Sequence, residues 1–161
     1  MPTEYSKTVP FTGQTAKALD TARTTFMSQG FQIVASSNNE LRVTGPGLNS
    51  TKENPLKGVS EASIIVRAPT IEIKAMLGGS QMLKRFLWIF PLGMALLFLT
   101  VFGVIAWIVP DFRQPWIFLI PVLALSPWLF LSPVIVRWIE KRTIQAVDTL
   151  LNNMVVMGKD G

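Results

Sequence analysis

Apolar and polar positions are distributed very differently in the two halves of this 161-residue chain. Residues 86–109, FLWIFPLGMALLFLTVFGVIAWIV, run for 24 positions without a charge. A helix of that length rises roughly 36 Å, enough for a hydrocarbon core of about 30 Å. Residues 116–136 form a second uncharged run of 21 positions, and only the hexapeptide PDFRQP, 110–115, separates the two. So short a connection predicts a tight hairpin: transmembrane helix 1 over 86–109, an extracytoplasmic loop over 110–115, and transmembrane helix 2 over 116–136. Trp88 and Trp107 fall near the two ends of the first run, where amphipathic rings favour the interface.

The second run carries prolines at 115, 121, 127 and 133, one every six residues. Pro115 suits a first helical turn. Each internal proline lacks the N–H that the carbonyl four residues earlier needs, which frees Ile117, Leu123 and Leu129. Six residues turn a helix by about 240°, so the three rings point in different directions and their bends partly cancel. Ser126 and Ser132 each directly precede a proline, and their hydroxyls are placed to help satisfy local backbone groups. Neither run contains an Asp, Glu, Lys or Arg, the residues that usually mark a transport path.

Before residue 80 the period changes. Residues 5–11 alternate as a strand; a helix follows, capped by Thr12 and ended by Gly30 as C′ residue, with Thr15, Ala18, Leu19, Ala22 and Phe26 on one face. Four strands come next: FQIVAS, ELRVTG, EASIIVRA and IEIKAML. The first pair turns through SNN, where Asn tolerates positive φ, and the last through Pro69 and Thr70. Alternation puts Phe31, Ile33, Leu41, Val43, Ile64, Val66, Ile71, Ile73 and Leu77 on the face the helix covers. The opposite face carries Gln32, Arg42, Thr44, Arg67, Glu72 and Lys74, and also Val34, Ile65 and Met76.

A unit of about 80 residues with one helix barely offsets its chain entropy by burial. The tail can complete it, because Ile144, Val147, Leu150, Leu151, Met154 and Val155 share one helical face. The expected fold is an α+β membrane protein: a small N-terminal helix-on-antiparallel-sheet domain (1–80), the two-helix transmembrane hairpin, and a C-terminal amphipathic helix (138–157). That tail helix is expected to continue from the second span and pack on the soluble unit. The alternatives are an oligomer contact or a helix lying in the headgroup layer.

Composition narrows the function classes. A chain that is 49% hydrophobic and 16% charged fits the membrane class. Its net charge of +5 is spread out, with no Lys or Arg run longer than two, so no nucleic-acid partner is expected. With no Cys and no His, thiol chemistry is excluded and the commonest metal ligand is missing. The ten carboxylates show no close pair, so neither an enzyme nor any catalytic, cofactor or metal residue is expected. The opening MPTEYSKTVPFTGQT has no basic stretch followed by an apolar one and reads as folded protein. Lys74, Lys84, Arg85, Arg137, Lys141 and Arg142 flank the spans on one side, against Arg113 alone at the hairpin tip. The positive-inside rule then places both termini in the cytoplasm. On that side the NST at Asn49 is a chance match to a glycosylation pattern.

Two groups of residues invite contacts. Lys52 and Lys57, in the long loop 45–60, and Lys84 and Arg85, in the hinge LGGSQMLKRF (77–86), are candidates for an anion or lipid headgroup. For the loop, a flexible crossover is the simpler reading. Val34, Ile65 and Met76 on the sheet, with Val147, Leu151 and Met154 on the tail, form a candidate interaction face. The expected function is non-catalytic: a small two-span integral membrane protein whose cytoplasmic module binds a protein partner, or a second copy, or organises a membrane complex. The alternative is a membrane-anchored lipid or amphiphile binder using the semi-apolar sheet face. A minimal channel would need a polar strip, and Thr100, Gln114, Ser126 and Ser132 are too few to make one.

Overall fold

The computed structural model of the chain describes residues 4–47, 54, 56–109, 114 and 119–159. Its elements follow the change of period along the sequence: β1 (Glu4–Pro10), α1 (Thr15–Ser28), β2 (Gln32–Ser36), β3 (Glu40–Thr44), β4 (Glu61–Arg67), β5 (Thr70–Met76), α2 (Gly78–Ile108) and α3 (Leu119–Lys159). Two compact units result, residues 1–81 together with 138–161, and residues 82–137.

In the first unit the five strands form one antiparallel sheet in the order β1-β5-β4-β3-β2. The chain therefore lays β1 at one edge, crosses one face as α1, and returns strand by strand from the opposite edge. Helix α1 ends as its glycine dictates. Gly30 adopts φ +84°, its N–H donates to the Met27 carbonyl, and the Phe31 N–H donates to Phe26. This is a Schellman close, and its accompanying apolar contact is the Phe26 and Phe31 rings, 4.9 Å between centroids.

The helix start differs from expectation. Thr12 is not the cap; α1 begins at Thr15, and Gln14 occupies the cap position without a side-chain capping hydrogen bond. The cause is the tail. The Gln14 N–H donates to the carbonyl of Gly158 at 2.8 Å, and a Cβ at Gly13 would stand 2.2 Å from that same oxygen. The docked end of α3 thus sets where α1 starts.

Alternation places Phe31, Leu41, Val43, Ile64, Val66, Ile71, Ile73 and Leu77 in the core, beside Ala18, Leu19, Ala22 and Phe26 of α1. Ile33 departs from this pattern and is 36% exposed. It sits on edge strand β2, where the register shifts between Ile33 and Ala35. A bulge at a sheet edge bends the strand away from the packed face. The turn between β2 and β3 forms without a positive φ at Asn; the Ser37 N–H donates to the Glu40 carbonyl instead.

The core also takes Val147, Leu150, Leu151 and Met154 from α3, all almost fully buried. Phe11, Leu56 and Val59 join them. Leu56 and Val59 come from the second half of the stretch read as a flexible crossover, and Asn54 fixes it. The buried Asn54 side chain donates to the Gln29 carbonyl at 2.6 Å and accepts from the Leu56 N–H at 2.7 Å. At 77–81 there is no loose hinge: α2 starts at Gly78, straight after β5. Gly58 and Gly79 allow the close approach here, since a Cβ on Gly58 would meet Thr143 Oγ1 at 2.4 Å and one on Gly79 the Lys57 carbonyl oxygen at 2.6 Å.

Both long helices are apolar enough to cross a membrane, within Gln81–Ile108 and Val122–Lys159. In α2 only 6% of the most apolar stretch is buried, unlike the core helix of a soluble protein. The second apolar run and the tail are one continuous helix, α3, carrying Pro127 and Pro133 in its interior.

Candidate interaction surfaces

Strand parity separates the residues that the sequence grouped into one interaction face. Val147, Leu151 and Met154 pack under the sheet with α1 and have no free surface. Val34, Ile65 and Met76 lie on the opposite side, with Arg42, Thr44, Ser63 and Lys74, around a shallow depression of about 450 Å³. The tail therefore does not cover the semi-apolar face. It completes the other one, because its apolar stripe gains more against the alternating core positions than against a face interrupted by charge.

Within this unit the depression is open, and Val34 is 66% exposed. Of its charged lining, the two cations are paired, Arg42 with Glu40 and Lys74 with Glu72, an oxygen of which lies 3.2 Å from Nζ, while Glu4 and Glu61 are in no salt bridge among the described residues. Such exposed pairs add little stability, on the order of 0–1 kcal/mol. They lower the cost of bringing another surface against Val34, Ile65 and Met76, because the two cations already have anionic neighbours.

Of the basic candidates, Lys57 belongs to the first unit, and Lys84 and Arg85 to the second. Lys52 lies outside the described residues. Lys57 is partly exposed on the turn that approaches Gly79, and Lys84 and Arg85 are exposed near the start of α2. Among the described residues no group of three or more Asp or Glu side chains is placed to hold a metal ion.

A polar cluster absent from the sequence reading joins the sheet edge to the tail. Tyr5 Oη donates to Asp148 Oδ1 at 2.6 Å, and Lys7 Nζ donates to the same oxygen at 2.9 Å. Partial burial, the hydrogen bond to Asp148 and that carboxylate's charge push the Tyr5 phenol up from 10.0 to about 12. For Asp148, burial acts to raise the carboxyl. The hydrogen bonds from Tyr5 and Lys7, with the lysine's charge, outweigh it and hold the group below its ordinary value. Tyr5 is the only tyrosine in the chain, and Asp148 is the acid set among the tail's apolar positions. That placement was the available signal.

In the unit 82–137 two of the proline-freed carbonyls find donors. Pro91, inside α2, frees the carbonyl of Leu87. Trp128 of α3 supplies the missing donor: its Nε1–H reaches that oxygen at 3.1 Å, while its ring stands 6.1 Å from Phe90. Ser126 acts locally as its position suggested, its hydroxyl donating at 2.8 Å to Leu123, the carbonyl that Pro127 frees. Ile117 lies outside the described residues. Leu87 and Pro91 on α2, and Ser132 and Val136 on α3, are buried, while Leu92, Leu96, Val104 and Trp107 are exposed. Trp128 and Ser126 thus satisfy the carbonyls that Pro91 and Pro127 free.

Comparison of the chain with known protein families, curated sequences and solved structures returns no match.

Proposed function

We propose that this chain is a non-catalytic, two-span integral membrane protein that presents a small cytoplasmic docking module. The observation that carries this reading is the sheet face that the first unit's own elements leave uncovered. Within that unit the exposed Val34 and the half-buried Ile65 and Met76 line an open depression, although α1 and the end of α3 complete the core on the other side. A stable unit whose core is already full has no internal need for a second apolar face, which makes that face available to a partner. The two long apolar helices supply the anchor, and the six-to-one basic asymmetry around them directs the module to the cytoplasm. In this role the module recruits a protein partner to the bilayer or holds a membrane complex together.

The absence of cysteine makes a clean test possible. Ser63→Cys, on the open face, and Lys17→Cys, on the exposed side of α1, are each labelled with a thiol-reactive photo-crosslinker in native membranes. The reading predicts discrete protein adducts from position 63 and few from position 17. It also predicts that Ser63→Cys escapes an impermeant maleimide in intact cells. Equal adducts from both positions, adducts with lipid alone, or labelling of position 63 from outside would overturn it.

A further inference from the structure

The chain enters and leaves its apolar runs through two short stretches of mirrored composition. KRFLW, residues 84–88, places two cations before a tryptophan; WIEKR, residues 138–142, places a tryptophan before two cations. In the second stretch Trp138, Lys141 and Arg142 stand at i, i+3 and i+4 of α3 and so share one side of the helix. All three are exposed, Trp138 by 57%.

The Arg142 guanidinium lies over the Trp138 ring, 4.6 Å from its centroid. A guanidinium stacked on an aromatic face keeps its edge N–H groups available, in the planar fork that matches two phosphate oxygens. Among the described residues neither Lys141 nor Arg142 is in a salt bridge, and the neighbouring Glu140 does not pair with either. These cations therefore differ from Lys7, Arg42 and Lys74, each of which has a carboxylate partner.

Along the sequence the uncharged residues 116–136 end at Arg137, and the trio begins at the next position. Past the apolar length and Arg137, an amphipathic ring and two unpaired cations on one side of the helix match the interface and the phosphates beyond the acyl chains of a phospholipid. We infer that Trp138, Lys141 and Arg142 form a recognition site for the headgroup phosphate of an anionic phospholipid. Arg142 forks onto the phosphate, Lys141 adds a second charge, and Trp138 fixes the guanidinium at the interfacial level. This inference rests on reading 86–109 and 116–136 as spans; it is independent of any partner on the sheet face.

The test uses the full chain in vesicles of phosphatidylcholine and phosphatidylglycerol in equal amounts, followed by gentle extraction and native mass spectrometry. The protein is expected to retain phosphatidylglycerol in preference to phosphatidylcholine. Lys141→Gln and Arg142→Gln should each lower that retention about five-fold, and the double variant about 25-fold, at unchanged melting temperature. KRFLW is intact in every variant, so the difference belongs to the second stretch. Undiminished retention in the double variant, or equal retention of phosphatidylcholine, overturns the site. Displacement by millimolar inorganic phosphate assigns it to free anions and overturns the lipid. Extraction of the chain by carbonate overturns the span reading itself, and the site with it.

Discussion

At the residue scale, the contacts that fix the tail are polar as well as apolar, and they titrate. In the unfolded chain Tyr5 ionises near its ordinary value of 10.0, and in the folded protein near 12. Its contribution to stability is therefore whole below pH 10 and is lost as pH climbs through about 12. Asp148 works at the other end of the scale. Its carboxyl is held low when folded, so its contribution is whole above the ordinary carboxylate range and is lost as pH falls through the depressed value. Tyr5→Phe should cost about 1 kcal/mol at pH 7, the worth of a part-exposed hydrogen bond to a charged group. Thermal melts recorded from pH 9 to 12 should show the parent losing stability faster than Tyr5→Phe, since the variant lacks only the phenol's titration. Parallel curves would show that the Tyr5 hydroxyl is not coupled to Asp148. Nothing local announced this pair: residues 143 positions apart in sequence meet only once the tail has found its side of the sheet.

At the element scale, α2 contains the helix-breaking Pro91 and α3 contains Pro127 and Pro133, and residues of α3 repair the breaks at Pro91 and Pro127. Trp128 serves the Leu87 carbonyl that Pro91 frees, and Ser126 serves Leu123. The two repairs were unequally legible. Ser126 acts within its own turn, so its role followed from standing before Pro127. Trp128 acts across to another helix, so its role depends on an interhelical register that hydropathy does not encode. Trp128→Phe keeps the ring and removes the donor, and should cost about 0.5–2 kcal/mol in a detergent unfolding titration. Pro91→Ala restores an N–H to the Leu87 carbonyl. In that background Trp128→Phe should therefore cost markedly less, and a cost that stays the same would mean the indole matters only as bulk. The same difference in reach explains the sheet. Buried positions of β3, β4 and β5 followed from strict alternation, whereas Ile33 was misplaced because a bulge at the edge breaks the period. Leu56 and Val59 were missed because a single buried asparagine, not periodicity, brings their stretch into the core.

At the scale of the whole molecule, the two apolar runs were legible because an uncharged length needs no knowledge of neighbours. The tail's stripe was legible for the same reason, but not the side of the sheet it would choose. That choice makes the chain's two ends interdependent. Val147, Leu150, Leu151 and Met154 are almost fully buried among residues contributed by the first 80. At about 1.5–3 kcal/mol for each fully buried side chain, the four together are worth roughly 6–12 kcal/mol. This matches the entire net stability of an ordinary domain, about 5–15 kcal/mol. The tail also supplies Asp148 to Tyr5 and Lys7, and the Gly158 carbonyl that receives Gln14 at the start of α1. A chain ending at Arg142 keeps both apolar runs and should still insert into membranes, but its N-terminal unit should lack a cooperative melt and be cut rapidly by protease. Leu151→Ala in the intact chain should be milder, a loss of about 2–5 kcal/mol with the fold retained. Protease resistance of the shortened chain equal to that of the intact protein would show that the first 80 residues form a closed core by themselves. The face under the tail would then be as dispensable to the core as the one around Val34, Ile65 and Met76, and the reading of the module as a docking platform would lose its physical basis.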